Sequence, residues 1–439
     1  MTNKERIELA HWAAETCRKA GADDAAVDIS FNRTVDVTFQ DRKLDQLSET
    51  TTNSLNLQVF QGGRYSSHNT SDLRRDTLGG FIQEAVAMTG YLAPDEDRSI
   101  TDPKYYDGMV EKDLKTIDPS YGDVTADERV RMAKQCEEAA LDASDRIITC
   151  SGNYSDTHYA SAKVHSNGFE GYQEGTFYQA SSSVTLKGDN DVRLEDYAVG
   201  LGLFRKELPT PEELGKEAVW RAMRKNGQTK IASGVYPMLV ENRALSRLLG
   251  PIQGALSGAN LYRKNSFLLD KLDQPIASEL FTVKDEPHLE SGFGSSLYDG
   301  DGIPTKPRTI IDKGVLKSYL IDYFWSRKLK VEPTSGTTNL IFSLGDKSLD
   351  EMIASQDKAI LVTGFIGGNN NGVTGDFSYG VIGGLIENGK VVQAINEMNV
   401  SGNFLDLLMN LTELGNDPYM ISAWRRPSML FKDVQFAGL

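Results

Sequence analysis

Apolar residues recur at helical spacing near the start of the chain, with Ile7, Ala10, Ala14 and Cys17 on one stripe over residues 4–20 and Gly21 placed to stop the helix. Alternating, strand-like segments follow at 26–29, 35–39 and 55–60, with a turn at Asp41–Lys43 and a stop at Gly62-Gly63. A second helical stretch is predicted from about Thr70 to Gly90, with Ser71 as its N-cap. The order then returns. Residues 124–143 form an amphipathic helix opened by Thr125, strand-like segments cover 146–154, 161–165, 177–186 and 196–204, and a helix opens at Pro209-Thr210-Pro211-Glu212-Glu213. The Asp41–Lys43 turn occupies the place of Ser166–Gly168 in the second copy, so residues 1–228 read as a duplicated unit.

From about residue 231 the sequence becomes β-rich and glycine-rich. Two hairpins are predicted: 308–312 with 315–321 around Lys313-Gly314, and 381–386 with 390–395 around Asn388-Gly389. Helices are predicted at Glu241–Asn260 and at Phe404–Leu414, the second capped by Asn403 and stopped by Gly415. The expected fold class is α+β: a duplicated helix–antiparallel-sheet–helix half followed by a β-rich C-terminal domain. Its expected divisions are 1–91, a linker at 92–122, 123–230 and 231–439.

Composition narrows the function more by exclusion than by assignment. The net charge of −15 disfavours a nucleic-acid backbone as partner. The three cysteines, Cys17, Cys136 and Cys150, are too scattered for a disulfide framework or a zinc ribbon. Cys17 and Cys136 fall on helices as small buried thiols. No signal-peptide core and no apolar run of membrane-spanning length is present, so the expected compartment is the cytoplasm.

Hydrolytic chemistry needs a base, a nucleophile or a metal, and histidine is the usual carrier. The five histidines, His11, His68, His158, His165 and His288, form no H-E-x-x-H motif. His158 and His165 are seven apart, which puts them on opposite faces of one strand. The ligand-rich run Asp285–Glu290 reads as a solvated acidic turn, and the glycine-rich run Gly367–Gly372 lacks the lysine and helix of a phosphate cradle. Gly250, Gly254 and Gly258 recur every four residues on a helical stretch, each costing about 1 kcal/mol against alanine. That implies a close neighbour along that face, with a helix or strand of the same core favoured over a ligand.

Six stretches together resemble the PmbA/TldD family, on its PmbA (TldE) side: Tyr262–Asp270, Tyr298–Thr305, Val373–Gly380, Glu387–Gly389, Ser401–Asn403 and Gly415–Asp417. The family has also been called a modulator of DNA gyrase. The resemblance implies a two-subunit cytoplasmic metallopeptidase acting on small or unfolded polypeptides, including peptide precursors and antitoxins. Its TldD-like subunit carries an H-E-x-x-x-H zinc motif ahead of an Arg-Lys pair and a late cysteine ligand. Counted back from Arg263-Lys264, the histidine positions fall on Gly250 and Ala255 and the glutamate on Pro251, and no cysteine follows Cys150. The resemblance therefore implies a non-catalytic, metal-free subunit, inactive alone, with zinc held by its TldD-like partner. No catalytic or cofactor-binding residue is assigned to this chain. Gly254, Gly258, Thr374, Asp376, Ser378 and Asn403 are the candidate peptide-channel contacts, each with turn capping or an intrasheet hydrogen bond as the competing role. Two rivals stand beside this reading. One is a free-standing homodimeric hydrolase using Asp285, His288, Glu290, Asp299 and Asp301, and the other is a binding or scaffold protein without proteolysis.

Overall fold

A computed structural model describes all 439 residues. The first half runs α1 (Asn3–Lys19), β1 (Asp24–Gln40), β2 (Lys43–Gln61), β3 (Arg64–Thr70) and α2 (Arg75–Thr89). After a long irregular segment come α3 (Ala126–Ala143), β4 (Ile147–His165), β5 (Glu170–Lys187), β6 (Arg193–Gly202) and α4 (Pro211–Met223). Both stretches share one element order, helix, three strands, helix. Their strands join into a single antiparallel sheet, β3-β2-β1-β4-β5-β6, with β1 paired to β4 at the centre.

All four helices cover one face of this sheet. Val27, Ile29, Leu55, Leu57 and Val59 pack with α1 and α2, while Val35, Val37, Phe39, Cys150 and Tyr154 pack with α3 and α4. Capping boxes at Thr125/Glu128 and Thr210/Glu213 start α3 and α4 where the sequence places them. Cys17, Cys136 and Cys150 are buried, and burial pushes each thiol up to about 12.

Several local expectations change. The segments 26–29 and 35–39 are one strand, as are 146–154 and 161–165. The polar middle of β1, Ser30–Thr34, is half-buried throughout, so it shows no apolar alternation. Residues 64–70 form an edge strand of polar residues, and the second helix begins at Arg75 rather than Thr70. Ser71 is not its cap: Arg74 holds that position without a side-chain bond, while the Asp72 carboxylate accepts from the Arg74 N–H.

The C-terminal half begins with β7 (Gly234–Val240), α5 (Ser246–Ala255), α6 (Gly258–Tyr262), β8 (Val283–Asp285), β9 (Arg308–Asp312) and β10 (Val315–Leu316). It continues with α7 (Tyr323–Leu329), β11 (Leu340–Phe342), α8 (Leu349–Ala354), β12 (Lys358–Asn370), β13 (Asp376–Glu387) and β14 (Lys390–Asn403). The chain ends with α9 (Phe404–Met409), β15 (Leu411–Leu414), β16 (Trp424–Arg425) and β17 (Met429–Ala437). Strands β14, β13, β12, β7 and β17 are neighbours in that order, and β14 also pairs with β17 (Val400 with Phe436), which closes a barrel. A second sheet, β10-β9-β8-β11-β16, packs beside it around a shared core of 38 buried residues.

The Asn388-Gly389 hairpin is present, with both residues at positive φ, 51° and 74°. The hairpin at Lys313-Gly314 is shorter than expected, because its second strand ends at Leu316. The stretch 241–260 is not one helix: the chain breaks after Ala255, and Ser257 caps a new helix by accepting from the Asn260 N–H. The stretch 404–414 is also divided. Asn403 caps α9 as expected, but Leu411–Leu414 leaves the helix to pair with β17, so Gly415 ends a strand.

The two halves meet on the sheet face opposite the helices. There Lys163 Nζ donates to the Gly300 carbonyl at 2.7 Å, Gln173 reaches Ser296 Oγ at 2.5 Å, and Tyr298 packs where a Cβ on Gly171 would lie.

Candidate functional site

Helix α5 carries the three positions that the zinc motif would occupy. Leu248, Leu249, Ile252 and Ala255 face the core, and Gly250 and Gly254 lie on the side away from it. A Cβ on Gly250 would meet nothing within 4 Å, and one on Gly254 would have only Asn260 Nδ2 at 4.0 Å. The close neighbour expected along the whole glycine stripe exists only at Gly258, whose Cβ would lie 2.6 Å from Trp325 Cβ. Gly258 is thereby buried and unavailable to a peptide, whereas the Gly250–Gly254 face is open.

The last two carbonyls of α5 are engaged by side chains. Gly254 O accepts from Ser257 Oγ at 2.8 Å and Asn260 Nδ2 at 2.7 Å, and Ala255 O accepts from Ser266 Oγ at 2.6 Å. Arg247 shares the outer face of the helix. Its guanidinium donates to Gly367 O at 2.9 Å and lies 4.6 Å from the Tyr379 ring centre, which ties α5 to the end of β12. Sequence reasoning passes over Arg247, although its three- and seven-residue offsets from Gly250 and Gly254 are a legible signal.

The turn between β12 and β13 rests on residues 265–267: the Phe267 N–H donates to Gly372 O at 2.8 Å, and Gly375 packs on the Phe267 ring. At its tip Thr374 Oγ1 donates to Asp376 at 2.6 Å, and Asn403 Nδ2 donates to Thr374 O at 2.8 Å and to Asp376 at 3.0 Å. These bonds hold the Asp376 carboxyl below the usual carboxylate range, the Thr374 bond first. Thr374, Asp376 and Asn403 thus come together, and Asn403 borders a cleft of about 370 Å³ with Ser401, Asp406 and Asp433 on its walls. Ser378 is exposed two residues along the same strand face as Asp376. The C-terminal end of α5 is linked to the β12–β13 turn through residues 265–267, by the Ser266 bond to Ala255 O and the Phe267 bond to Gly372 O.

The rival set does not assemble. Asp285 is not solvated: it is 2% exposed, pairs with Arg308 at 3.1 Å and accepts from the Thr338 N–H. Glu290 is on the surface with Lys115, at 2.5 Å. His288 contacts Thr305 Oγ1 at 3.1 Å, and burial, then Lys112, lowers its pKa. Asp299 accepts from the Asp301 and Ile303 N–H groups inside a tight turn. His158 is hydrogen-bonded to Glu174, while His165 is buried beside Tyr106 and Phe169. No three His, Cys, Asp or Glu side chains converge as a metal would require. Gly250, Pro251 and Ala255 present no donor side chain, so the residues at the motif positions do not fit zinc.

Burial, then the Asp301 charge, raises the Asp299 carboxyl to about 6. The folded state therefore holds this proton more tightly than the unfolded chain, and stability falls as pH rises from about 4 to about 6. Asp299→Asn is expected to raise the melting temperature at pH 8 and to leave it unchanged at pH 4, with a ceiling of about 3 kcal/mol. Thermal unfolding at the two pH values checks this.

Known proteins resemble the chain along its whole length. Residues 119–226 match the PmbA/TldA metallopeptidase central domain, and residues 233–438 match the C-terminal domain of the same family. The chain belongs to the PmbA/TldD family. Metalloprotease PmbA of Escherichia coli O157:H7 is 28% identical over 423 residues, covering 95% of this chain and 93% of that protein. A metalloprotease TldD homolog of Buchnera aphidicola is 27% identical over 217 residues, 46% of this chain and 45% of that one. A Bacteroides thetaiotaomicron crystal structure, described as a candidate modulator of DNA gyrase, superposes with a TM-score of 0.97 at 41% identity and 100% coverage of both chains. TldE of Thermococcus kodakarensis shares the fold, with a TM-score of 0.88 at 18% identity over 98% of this chain and all of that one. The PmbA/TldD fold is therefore established for this chain over its full length. No helix is long and apolar enough to cross a membrane.

Proposed function

We propose that this PmbA/TldD-family protein is the metal-free subunit of a cytoplasmic metallopeptidase, paired with a zinc-bearing relative and acting on small or unfolded polypeptides. The observation that carries the reading is the composition of α5. Where a zinc-binding relative needs two histidines and a glutamate, Gly250, Pro251 and Ala255 offer no donor, and the outer face at Gly250 and Gly254 is bare backbone. A bare helix face lets an extended chain lie close, and the neighbouring edge of the β12–β13 turn offers polar groups at Thr374, Asp376, Ser378 and Asn403. The subunit's part is to hold and orient polypeptide, while bond cleavage belongs to the partner.

The test mixes the purified chain with the H-E-x-x-x-H-bearing relative and follows cleavage of an unfolded polypeptide. Cleavage is expected only from the mixture. Gly254→Phe is expected to fold with an unchanged melting temperature, since a Cβ there meets only Asn260 Nδ2, at 4.0 Å, and to slow cleavage by the mixture about tenfold. Rapid hydrolysis by this chain alone, with zinc that survives dialysis, would sink the proposal and favour the free-standing hydrolase.

A further inference from the structure

The register of the N-terminal sheet lines up four polar residues on the face opposite the helices. Asn69 of β3 stands across from Asn56 of β2, Asn56 across from Asp28 of β1, and Asp28 across from Lys163 of β4. The next position in this row is Gly171 of β5, where a Cβ would lie 2.6 Å from the Tyr298 ring, so Tyr298 walls off the end. A row of hydroxyls, Ser54, Ser30 and Ser161, runs along one side of it. His165, two residues beyond Lys163, stands on the other side. Residues of both rows, His165 and Gly300 of the C-terminal half line a cavity of about 310 Å³, whose apolar lining is limited to Ala26 and Val27.

The polar groups around this cavity are only partly used. Lys163 Nζ donates to Gly300 O at 2.7 Å and stands 3.7 Å from Asp28 Oδ2, too far for a hydrogen bond. Through its other oxygen Asp28 accepts from Ser161 Oγ at 3.0 Å. An ammonium has three donors and a carboxylate several acceptor positions, so both charges keep capacity for a ligand. His165 is 5% exposed, and its Nδ1 lies 2.8 Å from the Tyr106 hydroxyl. That hydroxyl faces two acceptors, Thr101 O at 2.8 Å and Asn167 Oδ1 at 3.0 Å, so its own proton is taken. The network therefore puts the imidazole proton on Nδ1 and leaves Nε2 as an acceptor with no partner in the chain. Burial, then Lys163, pushes the pKa of His165 down to about 3, so the ring stays neutral.

We infer that this cavity binds a small zwitterion, a free α-amino acid with a short polar side chain, its ammonium on Asp28 and its carboxylate on Lys163. Opposite charges 3.7 Å apart match a ligand whose own opposite charges sit on one carbon. A ligand with a single charge would leave the site with an unbalanced one. His165 Nε2 offers a further acceptor, and the serine hydroxyls with Asn56 and Asn69 offer partners to a polar side chain. The volume is at the small end for ligand pockets, and the scarcity of apolar wall disfavours large apolar side chains. The inference is independent of the peptidase reading, since no residue of α5 or of the β12–β13 turn borders the cavity.

The test titrates the full chain by calorimetry with glycine and L-serine, beside N-acetylglycine and glycinamide, which each lack one of the two charges. Saturable binding of L-serine is expected, with a rise in melting temperature, because ligand binding to the folded state stabilises it. The two single-charge analogues are expected to bind at least about tenfold more weakly. Asp28→Asn keeps the shape and the bond from Ser161, and Lys163→Met keeps the length of the side chain. Each is expected to weaken L-serine binding about tenfold or more. The analogues are compared on the unaltered chain, so the inference stands or falls even where a variant does not fold. Absence of binding by either amino acid at about 10 mM overturns it. So does equal binding of the single-charge analogues, or full binding retained by folded Asp28→Asn and Lys163→Met proteins.

Discussion

Asp156→Ala is expected to destabilise the N-terminal half by about 3–5 kcal/mol, the largest effect of any single side-chain truncation considered for this chain. Asp156 on β4 has no exposed surface, and Arg129 on α3 is 5% exposed. The guanidinium grips the carboxylate through two bonds, Nε to Oδ2 at 2.6 Å and Nη2 to Oδ1 at 3.2 Å, while Nη1 donates to Val124 O at 2.6 Å. Removing the carboxylate leaves a buried cation with one carbonyl for company, and that desolvation dominates the cost. The double variant Arg129→Met, Asp156→Leu removes both charges and keeps the volume. It is expected to recover most of the loss, to within about 2 kcal/mol of the parent. Urea unfolding of the three proteins checks this; a single variant as stable as the parent would show the pair to be dispensable.

Gly152→Ala is expected to cost about 3 kcal/mol or more, for the opposite reason. Here an added methyl has no room: its carbon would lie 2.1 Å from Ala133 O and 2.4 Å from the Glu137 nitrogen, both backbone atoms of α3. The helix would have to lift off β4, opening the core that holds Ala133, Cys136, Ala140 and Tyr154. Gly122→Ala, where nothing lies within 4 Å, is the matched control and is expected to change stability by less than about 0.5 kcal/mol. Equal melting temperatures for the two variants would remove the case for contact between α3 and β4 at Gly152.

The duplication was legible because it rests on local signals. Thr125 and Thr210 cap helices wherever they are met, and the turns at Asp41–Lys43 and Ser166–Gly168 punctuate equivalent hairpins. Strand length was less legible. Ser30–Thr34 continues β1 because β2 and β4 supply hydrogen bonds on both sides, which no alternation within the segment announces. Leu411–Leu414 carries a helical pattern of leucines yet pairs with β17, so tertiary pairing overrides propensity there.

For the candidate site, the side-chain chemistry of Gly250, Pro251 and Ala255 could be read directly, since a side chain without an electron pair has none in any fold. The meaning of the glycine stripe could not. Identical spacing put Gly258 against Trp325 and left Gly250 and Gly254 open, because only the packing of α7 on α6 determines what stands beside each. The sequence by itself determined the α+β class, the repeated unit and the absence of ligating side chains at 250, 251 and 255. Tertiary structure alone decided which acidic residues are ion-paired and buried, and which glycine face is free. Local chemistry travels with the residue, whereas exposure and pairing depend on segments far away in the chain.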